Sequence, residues 1–193
     1  IGLWGNKSFL PGPVGGPCLS KDPHILLESI KDKVDVKKTI IRASRKVNEE
    51  QPENVGFLIS NYISKTLKKK NINKISILGL AFKGRPETDD MRGSMAYPIF
   101  NEIKKLFPKA KFYGYDAVVS KVEIEKFGVK FCKNIEEAFY DCDIALILNN
   151  HQIFENIPIE TLSSFMSEKS IIYDFWNNFD YKNLSLPADK YYL

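Results

Sequence analysis

The sequence predicts an α/β fold: a helical segment followed by a doubly wound, mainly parallel, Rossmann-like sheet domain. Three observations predict it. Up to residue 70, apolar residues recur at helical spacing with no strand signal among them. From Lys74 the run KISILGLAF is continuously apolar, as a strand buried on both faces requires. Beyond it, short apolar runs alternate with short amphipathic stretches, the order that parallel strands joined by right-handed crossovers produce. The boundary falls near residue 71, with 1–70 as one unit and 71–193 as the other.

The stretch GPVGGPCLSKDPH, from Gly12 to His24, reads as a loop. Asp22-Pro23 then starts a helix, with Asp22 placed to cap free N–H groups and Pro23 at the first helical position. A second helical stretch covers about 36–50 and is interrupted at Gln51-Pro52. In the third, Val55, Leu58, Ile59, Tyr62, Ile63 and Leu67 fall on one face. A strand over 74–82 is followed by a polar loop and a helix over about 94–106 that carries Ile99, Phe100, Ile103 and Leu106 on one side. AKFYGYD, VKFC, DIALILN and SIIYDF then read as strands, and KVEIEKFG, NIEEAFYD and IETLSSFM as the helices between them. Such sheets bind ligands beyond the carboxyl ends of their strands, so the loops opening at Leu80, Tyr115, Leu148 and Asp174 are the candidate site. The first of these, residues 79–84, lacks both G-x-G-x-x-G and the G-K-[ST] ending of a P-loop, so spacing alone indicates no phosphate motif.

Bulk properties exclude several classes. The chain has 193 residues, 44% hydrophobic and 27% charged, which is a globular composition. Its net charge of +4 is dispersed, and the one dense basic run, residues 68–70, lies at a predicted helix end where cations favour the dipole and water, so no nucleic-acid partner is indicated. No apolar stretch approaches the roughly 20 residues of a membrane span. Cys18, Cys132 and Cys142 are spaced too irregularly for a disulfide framework or a zinc site, and His24 and His151 are the only imidazoles. No metal is expected, and a reducing cytoplasm is the expected compartment. The chain opens on Ile1 without a leader-like segment, which suggests an internal piece of a longer protein.

Two segments carry a family resemblance. GPVGGPCLSKDP resembles the catalytic-cysteine loop of the UDP-glucose/GDP-mannose dehydrogenases, G-x-G-G-x-C followed by two residues and K-D. ILGLAFKGRPETDDMRGS resembles the opening of their C-terminal, UDP-binding domain, where G-x-A-F-K precedes an acidic run, an arginine and a serine. Both occur in the family's order. The resemblance covers nearly the whole chain: up to about Lys70 it is similar to the later part of the central, dimer-forming domain, and after that to the UDP-binding domain. It implies an oxidoreductase that converts the C6 alcohol of a UDP-sugar to the acid in two steps and works as a homodimer. It also implies NAD as cofactor, bound mainly by an N-terminal domain not contained here, so that this segment alone would be catalytically incomplete.

By this resemblance Cys18 is the nucleophile. A thiol suits the chemistry: it captures the intermediate aldehyde as a thiohemiacetal, whose oxidation yields a thioester that water cleaves. Gly15 and Gly16 would let backbone N–H groups approach the reacting oxygen. Lys21 would contribute to the loop's electrostatics, and Asp22 matches the aspartate that helps activate water. Phe82 and Lys83 match a pair that contacts substrate, and Arg92 matches an arginine that reaches the cofactor. Read without the family, Cys18 is a small hydrophobe, Asp22 a helix cap, Lys21 and Lys83 solvated charges, and the chain a nucleotide-binding and dimerisation module without chemistry. Asp89 and Asp90 are expected to hold their loop and cap the helix near Ser94. Cys132 and Cys142, beside apolar strands, read as structural. The sequence departs from the family twice: GRPETDDM, between Lys83 and Arg92, is longer than in many members, and Trp176-Asn177 stands where many place an arginine for the diphosphate. Either another cation, such as Lys83 or Arg85, then supplies that charge, or substrate choice has shifted. The proline and glycines around Cys18 are more similar to members acting on UDP-N-acetylmannosamine or UDP-N-acetylglucosamine than to those acting on UDP-glucose.

Overall fold

The computed structural model describes residues 13–193. The opening of the helical segment, including Gly12 of the cysteine loop, lies outside the described residues. Three helices come first: α1 (Asp22–Ile30), α2 (Ile40–Glu49) and α3 (Gln51–Tyr62), the last continuing as a π-helical turn over Ile63–Leu67. Five strands then alternate with four helices: β1 (Lys74–Leu78), α4 (Ala96–Leu106), β2 (Lys111–Tyr115), α5 (Lys121–Phe127), β3 (Lys130–Phe131), α6 (Ile135–Phe139), β4 (Ile144–Ile147), α7 (Ile159–Ser164) and β5 (Ser170–Asp174). A short β6 (Lys190–Tyr192) closes the chain. The sheet order is β3-β2-β1-β4-β5-β6, and every pairing is parallel. The order reverses between β1 and β4, which places the ligand crevice of this architecture beyond their carboxyl ends.

Both faces of the sheet are covered, as its apolar strands require. Ile75 and Ile77 of β1 and Ile144 and Leu146 of β4 pack with α3, α4 and α5 through Val55, Ile59, Ile99, Phe100, Ile103 and Ile124. Leu78, Ala145 and Ile147 face the other way, onto Phe139, Phe154 and Leu162. Helix α3 therefore shares a core with the sheet. Its buried stripe, Val55, Ile59, Ile63 and Leu67, advances by four residues at each step. An ordinary helix would rotate that stripe away from the core, and the wider π turn at its end keeps Leu67 on the buried face.

Several local expectations are corrected. Leu58 and Leu106 are 42% and 40% exposed, on the margins of their apolar stripes. The second helical stretch divides into a 3-10 turn, Val36–Lys38, and α2, because Thr39 turns extended and caps α2, its Oγ1 accepting from Arg42 N at 3.3 Å. The strand expected over 74–82 stops at Leu78, because Gly79 adopts φ +84° and a Cβ there would fall 2.5 Å from Asn149 Oδ1. Strand β6 is additional to the expected elements. In the basic run, Lys68 and Lys70 are exposed, but Lys69 turns inward to Asp143 at 2.5 Å.

Candidate active site

The cysteine loop leads directly into α1. The carbonyl of Cys18 accepts from the amides of Lys21 and Asp22 at 3.1 and 2.9 Å, the bonds that open the helix. Asp22 is the first helical residue and Pro23 the second, Lys21 occupies the capping position, and no side chain caps α1. The expected cap is therefore absent: the Asp22 carboxylate meets Lys21 Nζ at 2.5 Å instead, with both side chains exposed. Cys18 is a free, exposed thiol.

This loop docks on the segment after β1. Gly16 N donates to Gly93 O at 2.9 Å, and both glycines have positive φ, +109° and +66°. Their backbones touch: a Cβ on Gly93 would lie 2.8 Å from Gly16 O, one on Gly15 2.4 Å from Gly93 O, and one on Gly16 2.9 Å from the Phe82 ring. Phe82 thus lies against the cysteine loop, and Lys83 Nζ stands 5.2 Å from the centroid of that ring. On the helical side, Asn48 of α2 binds Val14 through both its N–H and its carbonyl.

Arg92, 78% exposed at its side chain, forms a two-pronged bond to Asp90, with Nε at 3.0 Å from Oδ1 and Nη2 at 2.8 Å from Oδ2. That fork and the Arg92 amide hold the Asp90 carboxyl down at about 2. The Arg92 guanidinium is raised chiefly by the hydrogen bond to Asp90, and the Lys21 ammonium chiefly by that to Asp22; the charge of a Cys18 thiolate adds a smaller pull on each. Asp90 does not cap α4, contrary to expectation. Ser94 Oγ accepts from Ala96 N at 3.2 Å, and Asp89 is exposed at the rim of a cavity of about 740 Å³ with Arg92. A second cavity of about 490 Å³ lies beside Gly93, its walls including Met91, Met95, Tyr97 and Phe127.

Three polar residues that sequence reasoning missed shape the carboxyl end of the sheet. Asp116, 8% exposed after β2, accepts from the amides of Leu80, Ala81, Val118 and Val119 at 2.7, 3.1, 2.9 and 3.0 Å. Its only sequence signal is a carboxylate at the carboxyl end of a strand. Asn149 contacts Gly79 and bonds His151 N, and His151 Nδ1 accepts from Ile153 N while its Nε2 faces Glu87 at 3.1 Å. Trp176 has its indole N–H on Leu148 O at 3.0 Å, which closes the loop after β4. Arg85 pairs with Glu155 at 2.7 Å and bonds Asn150 O, whereas Lys83 makes no ion pair among the described residues. Of the two cations considered for the diphosphate, Lys83 is the one not occupied by an ion pair.

The structure thus brings Gly15 against Gly93, Gly16 against Phe82 and Gly93, and Lys83 to the Phe82 ring, with Arg92 next to Gly93 in the chain and its guanidinium turned to Asp90. Lys21 and Asp22 sit one turn after Cys18. Among the described residues no three His, Cys, Asp or Glu side chains gather as metal ligands would, and no helix is long and apolar enough to cross a membrane.

Comparison with known proteins identifies the family of the sheet domain. The profile of the UDP-glucose/GDP-mannose dehydrogenase family, UDP binding domain, matches residues 76–181, more than half of the chain. The chain is similar to UDP-N-acetyl-D-glucosamine 6-dehydrogenase of Salmonella typhi, 28% identical over 89% of this chain and 39% of that protein. It is 30% identical to UDP-N-acetyl-D-mannosamine dehydrogenase of Pyrococcus horikoshii over 86% of this chain and 36% of the relative. A solved structure of the UDP-D-ManNAc dehydrogenase of Pyrococcus horikoshii superposes with a TM-score of 0.71 at 27% identity, covering 94% of this chain and 39% of that one. The chain spans under two fifths of the length of these relatives.

Proposed function

Because the chain belongs to the UDP-glucose/GDP-mannose dehydrogenase family, we propose that it is the C-terminal portion of an NAD-dependent UDP-sugar 6-dehydrogenase with Cys18 as nucleophile. The observation that carries this reading is the docking of the exposed Cys18 loop onto Phe82 and Gly93, two motifs far apart in sequence. Residues 1–70 then belong to the central domain and 71–193 to the UDP-binding domain, and the nucleotide lies beyond the carboxyl ends of β1 and β4. Lys83 neutralises phosphate charge in place of the arginine that Trp176 displaces, and Gly15, Gly16 and Phe82 shape the wall toward the sugar. The sugar is an N-acetylhexosamine, as in the two relatives above.

NAD supplies the hydride acceptor in this chemistry. The turn after β1 does not fit its diphosphate, because the Leu80 and Ala81 amides that would face a phosphate are taken by Asp116. Arg92 fits as an edge contact, an exposed guanidinium that can face an anionic group. The cofactor is therefore held mainly by residues outside this chain. Within it, the Cys18 sulfur adds to the C6 aldehyde and gives up its proton, forming a thiohemiacetal that keeps the intermediate bound. Loss of a hydride to NAD turns this adduct into a thioester; water then attacks the same carbon and the C–S bond breaks, releasing the acid and the Cys18 thiolate. Asp22, one turn away and anchored by Lys21, orients that water and accepts its proton. Pairing as a homodimer is supported by Ile40, Val47 and Phe57, 83%, 60% and 72% exposed on the helical segment.

The test is Cys18→Ser in the complete enzyme. Acid formation should fall by about a thousandfold or more, with circular dichroism and UDP binding unchanged. Undiminished acid formation would overturn the assignment.

A further inference from the structure

The Cys18 loop is held from the helical side as well as from Gly93. Asn48, half-buried near the end of α2, uses both halves of its amide on one residue: Oδ1 accepts from Val14 N at 2.8 Å and Nδ2 donates to Val14 O at 2.9 Å. A backbone N–H only donates and a carbonyl only accepts, so these bonds determine which way the amide points. The pair reproduces, on a side chain, the double bond pattern between opposed residues of antiparallel strands. Nδ2 also lies 3.9 Å from the sulfur of Met95, just ahead of α4 and two residues past Gly93. Asn48 thus touches both segments that meet at Gly16 and Gly93. Aspartate can supply only the acceptor half of this clamp, and alanine neither half.

We infer that Asn48 is a positioning residue that sets the Cys18 loop against the Gly93 segment. Its catalytic consequence rests on the reading of Cys18 as nucleophile. The Val14 clamp and the Gly16–Gly93 bond lie on either side of Gly15, so together they define the path of the chain into Pro17 and Cys18. Releasing the first leaves the second to act as a pivot. The loop then keeps its contact with Phe82 but loses its direction, and a sulfur displaced by an ångström or so reacts far more slowly.

Two readouts test this. In this chain, hydrogen exchange at the Val14 amide should be about tenfold faster in Asn48→Ala than in wild type, and close to wild type in Asn48→Asp, which keeps the acceptor. In the complete enzyme, Asn48→Ala should lower kcat for acid formation by about ten- to a hundredfold, with KM for the UDP-sugar within about twofold, and Asn48→Asp should recover some of the loss. Unchanged exchange in Asn48→Ala overturns the clamp. Faster exchange with unchanged kcat overturns positioning and leaves a structural bond. If Asn48→Ala does not fold, Asn48→Asp carries the test: an intermediate kcat supports the inference and a wild-type kcat overturns it. Full acid output from Cys18→Ser would instead sink the functional reading, while the exchange result at Val14 would stand.

Discussion

The two ends of the sheet treat buried carboxylates in opposite ways. At the amino end, Asp143, 2% exposed, meets a cation: Lys69 Nζ lies at 2.5 Å, Ser167 Oγ at 2.6 Å, and the amides of Asn73 and Lys74 at 2.6 and 2.9 Å. Burial alone would raise its carboxyl, but these partners outweigh burial and hold it below the ordinary carboxylate range. At the carboxyl end, Asp174, 8% exposed, is served by neutral donors: Tyr192 OH at 2.6 Å, Asn178 Nδ2 at 2.8 Å, and the amides of Trp176, Asn178 and Phe179. There desolvation prevails and pushes the carboxyl up. Asp116 is likewise met by amides. One end uses a lysine to close the fold; the other satisfies its acids without one, and Lys83 there makes no ion pair among the described residues.

The most severe way to break this contrast is Asp143→Ala. It strands Lys69 in a site where its side chain is 16% exposed, and denaturant titration should show a loss of about 3–5 kcal/mol. A loss below about 1 kcal/mol would reduce the pair to the standing of a surface ion pair. The same group sets a pH dependence. Because its folded value is depressed, the stability it contributes is present above its unfolded value, near 3.9, and disappears as pH falls through the folded value. The variant should lack that acid-side slope, and a slope equal to wild type would assign the effect to other groups. Asp174 works in the opposite direction: its folded form holds a proton longer, so its unfavourable contribution grows as pH rises from the unfolded value through the folded one.

Lys83→Met sharpens the other side of the contrast. It keeps the apolar stem and removes the charge, so calorimetric affinity for UDP should fall roughly tenfold while stability stays within about 0.5 kcal/mol. Unaltered UDP affinity would place the neutralising charge elsewhere. Tyr192→Phe carries the smallest effect, about 1 kcal/mol for one hydrogen bond to Asp174. A much larger loss would mean that β6 depends on that hydroxyl for its place in the sheet.

The order of strands and helices was legible because strands buried on both faces leave unbroken apolar runs, and KISIL and IALI are such runs. Strand β6 was not, since three residues, KYY, carry no period and lie half-buried at an edge. Cys18, Phe82 and Lys83 could be singled out through the family motifs they sit in. Lys69 could not, because a basic run at a helix end looks solvated until the chain folds Asp143 beneath it. Asn48 and Asp116 left equally little trace: each binds backbone amides or carbonyls, Asn48 at Val14 and Asp116 at Leu80 and Ala81 as well as at its near neighbours, and such partners have no side-chain identity to read.

The interlock of Gly16 with Gly93 bears on how such enzymes can be recombined. Exchanging UDP-binding domains between relatives to alter sugar choice invites a junction near residue 71, where the helices give way to strands. That junction would separate Gly93 from Gly16, whose backbone leaves no room for a side chain on Gly93, and would divide the apolar core that α3 shares with the sheet. A workable chimera must therefore transplant the two surfaces of this seam from the same parent, even though they lie on opposite sides of the cut.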